Sequence, residues 1–92
     1  MTSPEDLLDS VHDEESFSRF VDALKNDRRC AKSLPITADG HQGEWANQSI
    51  EAYLEAANAW FADSRFGSRP GPKPSNPWRL FAQFLLAGKA YE

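Results

Sequence analysis

Between Asn47 and Ser64 the apolar residues Ile50, Tyr53, Leu54, Ala57, Trp60 and Phe61 recur three and four positions apart. That is the repeat of a helix burying one stripe, so it constrains the fold more than any other stretch of the chain. Asn47 stands ahead of the stripe as a side-chain cap, and a helix is expected over 48–64. Glu51, Glu55, Asn58 and Ala62 fall on the opposite, polar face.

The remaining periodic segments are also helical. Ser3, Pro4, Glu5 and Asp6 combine a hydroxyl cap, a proline where no donor is missed and acids in a first turn, which starts a short helix over 4–11. Asp13 restarts the pattern, and Phe17, Phe20, Val21 and Leu24 define a second helix over 14–31, closed by Arg28 and Arg29 as the helix dipole favours. Asn76 and Pro77 repeat the cap-and-proline signal. They open a helix over 77–91 with Trp78, Phe81, Ala82 and Leu85 on one face. Periodicity is lost over 33–46, an irregular loop with room for a brief extended piece. The Pro/Gly-rich 65–75 segment reads as an extended basic loop. The expected fold is all-α, a bundle of about four helices in one domain over 1–92.

Ninety-two residues suit one modest core. The single cysteine, Cys30, rules out an internal disulfide framework and leaves a reducing compartment as the default. Met1 to Ser16 carries six carboxylates and no Lys or Arg, the opposite of a secretion signal, and no apolar run approaches a membrane span. A cytoplasmic, non-membrane protein is expected. The net charge of −4 is sorted into alternating acidic and basic blocks, and much of that sorting follows from helix dipoles alone.

One ordered set of residues goes further. Trp45-Ala46-Asn47-Gln48-Ser49-Ile50 is followed by Tyr53-Leu54-Glu55-Ala56 and Ala59-Trp60. Asn76-Pro77-Trp78-Arg79-Leu80-Phe81-Ala82 and a final Tyr91-Glu92 complete it. This resembles a family of small bacterial domains of unknown function, with a W-x-N-x-[ST] start, an A-W pair and an N-P-x-W-R-x-F-A closing helix. The likeness spans roughly Trp45 to Glu92 and is weaker in the Phe-rich second helix. The segment from Arg65 to Lys73 is longer than that pattern. The resemblance implies a helical fold and leaves the activity open.

The motifs that carry chemistry are missing. His12, Asp13, Glu15, Cys30 and His41 form no metal-binding spacing, so neither a metal nor a cofactor is expected. Gly67 and Gly71 lead into proline-rich sequence and not into a phosphate-binding helix. Asn47 and Asn76 read as structural caps. Arg79 sits in a first helical turn, where the dipole disfavours a cation, and so calls for an acidic partner, with Asp63 or Glu44 as candidates.

The leading expectation is therefore a non-enzymatic protein-interaction module, an adaptor or an inhibitor or immunity-type partner. Its acidic surface at Glu51 and Glu55 would meet a basic protein. The first alternative is a small nucleic-acid-binding or regulatory protein using Arg65, Arg69 and Lys73, although an acidic chain disfavours phosphate binding. The second is a small-ligand pocket built on Trp45, Trp60 and Arg79. A homodimer is compatible with the aromatic content, because a four-helix chain can leave an apolar face for a second copy.

Overall fold

The computed structural model describes residues 3–64 and 76–91. Helix α1 (Pro4–Leu7) runs into a 3-10 turn at Leu8–Ser10, and α2 (Glu14–Ala31), α3 (Ile50–Ser64) and α4 (Pro77–Ala90) follow. The all-α bundle is as expected. The first segment holds α-geometry for only four residues before tightening, and the 65–75 loop lies outside the described residues.

Local chemistry explains most of the boundaries. Ser3 accepts a hydrogen bond from the Asp6 amide to start α1. Asp13 caps α2 in a reciprocal box: its carboxylate accepts from the Ser16 amide, while the Ser16 hydroxyl oxygen accepts from the Asp13 amide. The Ser16 hydroxyl and amide together hold the Asp13 carboxyl below its usual 3.8. Asn76 caps α4, accepting from the Arg79 amide at 3.3 Å and donating to the Val11 carbonyl at 2.6 Å.

At α3 the cap is not Asn47. The Ser49 hydroxyl accepts from the Ala52 amide at 3.0 Å, and the helix begins at Ile50, two residues later than expected. Asn47 instead donates to the carbonyls of Gly88 (2.9 Å) and Tyr91 (3.1 Å), tying the loop to the far end of α4. Asparagine and serine can both cap, and the choice fell to Ser49 because the end of α4 competes for the Asn47 amide.

The core gathers Val11, Phe20, Leu24, Ala31, Trp45 and Ala82, with Phe17, Tyr53, Trp78, Leu85 and Leu86 packed around them. Helix α4 is central: α3 packs along it, α2 and the N-terminal turn lean on it, and α2 and α3 scarcely touch. The α3/α4 approach is close. A Cβ on Gly88 would lie 2.7 Å from the Tyr53 ring and 2.9 Å from its backbone oxygen.

That arrangement revises the expected α3 stripe. Tyr53, Ala56 and Ala57 form the inward edge, whereas Ile50 is 76%, Leu54 48% and Phe61 44% exposed. A helix supported mainly by one neighbour buries only part of a wide apolar stripe. Phe81 on α4 is likewise exposed, stacked edge-on against Trp78. The 33–46 loop does include extended pairing, as isolated bridges from Gln42 to Ile36 and to Trp45.

Candidate functional site

Trp45 is the hub of the molecule's polar chemistry. It is buried, and its indole N–H donates to the Asp27 carboxylate at 2.9 Å. The same carboxylate lies 2.8 Å from Lys89 Nζ. Lys89 stands in the last turn of α4, where a cation is favoured, yet its side chain is only 3% exposed. It also reaches Glu5 at 2.8 Å and Glu44 at 3.1 Å, and lies 5.8 Å from the centre of the Trp45 ring. Burial pulls the Lys89 pKa down, but hydrogen bonds to Asp27, Glu5 and Glu44 outweigh it and hold the pKa above the ordinary 10.5. The lysine therefore stays charged and fastens α1, α2 and the loop to α4.

The chain next to Trp45 is tied down in the same place. The Ala46 amide donates to the Lys89 carbonyl at 2.9 Å, and the Gln48 side chain donates to the Trp45 carbonyl at 2.6 Å. Gln42, itself buried, donates to the carbonyls of Lys32 and Leu34 and exchanges backbone hydrogen bonds with Trp45. Tyr53 packs 6.0 Å from Trp45 and donates its hydroxyl to the Leu85 carbonyl. Burial pushes the Tyr53 phenol from 10.0 up to about 12.

Two cavities flank this hub. On one side a hollow of about 360 Å³ is bounded by Glu5, Asp27, Cys30, Glu44 and Trp45 among others. On the other, a groove of about 310 Å³ runs between α2 and the start of α3. Val21, Leu24 and Arg28 form one wall, Ile50 and Tyr53 the other, and Trp45 and Leu85 also line it. Arg28 stacks 5.4 Å from the centre of the Trp45 ring, and its Nη2 donates to the Gln48 carbonyl at 3.3 Å. Its Nη1 is buried with no hydrogen-bond partner among the described residues.

Of the residues of the expected ligand pocket, Trp45 and Arg79 lie apart. Arg79 sits at the opposite end of α4 from Lys89, roughly 15 Å along the helix, and pairs with Asp9. Neither proposed partner is used: Asp63 accepts from the Tyr91 hydroxyl, and Glu44 belongs to Lys89. Trp60 lines neither cavity. Of the three residues, Trp45 is the one that borders these two cavities. Glu51 and Glu55 are exposed on α3, as expected. Arg65, Arg69 and Lys73 lie outside the described residues. Lys89, Asp27 and Gln48 escaped the sequence reading. The available signal was a lone base inside the apolar run Leu85-Leu86-Ala87-Gly88-Lys89-Ala90, but a lysine near a helix end already has an ordinary explanation in the dipole.

Among the described residues no cluster of three or more His, Cys, Asp or Glu side chains is placed to hold a metal ion, and no helix is long and apolar enough to cross a membrane. The model of a family of unknown function, DUF7660, matches residues 13–92. The chain belongs to the DUF7660 family. The match takes in α2 as well as the second half of the chain, a wider span than the motifs from Trp45 onward indicate. The DUF7660 span thus holds the Trp45 hub, the groove and Lys89, while Glu5 and Asp9, which pair with Lys89 and Arg79, lie before it. Searches of curated proteins and of solved structures find no match.

Proposed function

We propose that this protein is a non-enzymatic protein-interaction module, an adaptor or inhibitor of another protein, and that the outer edge of α3 is its contact surface. The observation that carries this reading is the exposure of Ile50, Leu54 and Phe61. At 3.6 residues per turn these three positions fall within an arc of about 40°, so they make one apolar stripe. Stripes of this kind mark contact sites more often than scattered exposed side chains do. Glu51 and Glu55 border it on the solvent side. An apolar centre with an acidic rim suits a partner carrying apolar residues beside basic ones, the rim charges acting mainly on capture rate and orientation.

The test is quantitative affinity capture from the native host, with the wild type, Leu54→Asp, and the Glu51→Lys/Glu55→Lys pair compared side by side. The expected result is a specific protein retained by the wild type, lost with Leu54→Asp, and captured less, with weaker salt dependence, by the charge-reversed pair. Equal retention by the wild type and both variants would remove α3 as the contact surface.

A further inference from the structure

We propose that the groove between α2 and α3 receives an apolar, carboxylate-bearing peptide segment of the partner protein, with Arg28 holding the carboxylate. This rests on the reading of the chain as an interaction module and names the chemistry of what that module binds. The geometry begins with α2, where Val21, Leu24 and Arg28 are spaced three and four apart and so line one face of the helix. Because α2 and α3 pack on α4 and scarcely on each other, that face stands apart from α3, whose Ile50 and Tyr53 form the far wall of the groove.

Charge chooses the occupant. Among the described residues no carboxylate lines the groove, although the chain as a whole is acidic. Arg19, Lys25, Arg79 and Lys89 each hold an acid, at Glu15, Asp22, Asp9 and the Lys89 trio respectively. Arg28 has no ion pair among the described residues. Its contacts among the described residues are the Gln48 carbonyl and the Trp45 ring, and its Nη1 has no hydrogen-bond partner among them. A guanidinium is a fork of donors matched to a carboxylate, and an unpaired buried donor is a standing cost that such a ligand relieves after a small side-chain adjustment.

The shape favours a peptide over a free carboxylic acid. A small ligand is normally enclosed over most of its surface, whereas this groove opens outward onto the exposed Val21 and Ile50. A chain lying in it can continue along the α3 stripe, as peptides do when they place apolar anchors in a hydrophobic groove.

The experiment is selection of a random-peptide display library on the full-length protein. Synthetic versions of the enriched peptides are then titrated by tryptophan fluorescence, and decanoate is titrated as the free-carboxylate probe. The expected peptides combine large apolar residues with Asp or Glu. Their affinity should fall by about tenfold or more with Arg28→Gln, as for a paired buried charge, and with Val21→Asp, a rim change that leaves the core intact. Thermal unfolding of both variants confirms that they are folded. Ile36→Asp, a change at an exposed loop residue away from both the groove and the α3 stripe, should leave peptide binding unchanged. Because the peptides are selected without the partner, failure of the groove and failure of the α3 capture surface read out separately. Four outcomes would overturn the proposal: no enrichment, enriched peptides without acidic residues, binding insensitive to both groove variants, or binding of decanoate but of no peptide. A wild type that sediments as a dimer and becomes monomeric with Val21→Asp would overturn it too, since a second copy would then fill the groove.

Discussion

Replacing Lys89 with methionine should cost the fold roughly 2–4 kcal/mol, at or below the usual cost of stranding one member of a buried ion pair. Methionine keeps the apolar stem and removes only the charge. Three carboxylates then face one another without a cation, but Glu44 and Glu5 are 83% and 45% exposed and can turn to water. Asp27, at 29%, is the one left stranded with the Trp45 indole as its remaining donor. Adding Asp27→Asn to Lys89→Met should therefore recover part of the loss, and a double-mutant cycle in urea measures that coupling.

The same lysine sets an alkaline limit. Its folded pKa is raised, so its contribution is complete below the ordinary 10.5 and is lost as pH rises through the higher folded value. Tyr53 acts in the same direction. The unfolded phenol ionises from 10.0 while the folded one waits until about 12, so stability falls across that interval. Titration of Lys89 and Tyr53 should thus leave the urea midpoint unchanged with pH around neutrality and lower it in the alkaline range. Lys89→Met should keep only the tyrosine part of that decline. An identical alkaline profile in the wild type and Lys89→Met would refute the ion-pair account.

Gly88→Ala should destabilise the protein by about 1–3 kcal/mol, the range for forcing an extra carbon into a packed interface. Helix propensity alone argues the reverse, since alanine is better than glycine inside a helix by about 1 kcal/mol. The steric term wins because the new Cβ would meet the Tyr53 ring at 2.7 Å and the Tyr53 carbonyl oxygen at 2.9 Å. The ring is held by its bond to Leu85, and backbone cannot swing aside. Adding Tyr53→Leu should relieve only part of the cost, because the carbonyl remains. A neutral or stabilising Gly88→Ala in thermal unfolding would show that α3 and α4 are not so closely packed.

The contrast between these two positions shows what could be read from the sequence. Helices announce themselves through spacing and caps, which is why the 14–31 span of α2 and the Asn76 cap are legible in the sequence. Which side of a stripe is covered depends on neighbours distant in sequence. Ile50 and Leu54 look like core residues until α4 is seen to support only one edge of α3. Asn47 could not be told from Ser49 as a cap because the competing carbonyls of Gly88 and Tyr91 arrive from the far end of the chain. The Lys89 cluster draws its acids from positions 5, 27 and 44, a juxtaposition made by folding with no local trace. Glu51 and Glu55 were recognisable because an exposed polar face depends on one helix alone.

The central claim is that contact with the partner is made along α3 and the groove beside it. Covalent side-chain footprinting of the protein alone and with its captured partner tests this most directly, because several large apolar residues start out exposed. The account expects labelling of Val21, Ile50 and Leu54 to fall in the complex, while Phe81 and Ile36 keep theirs. Protection of Phe81 or Ile36 with Ile50 and Leu54 still fully labelled would contradict it.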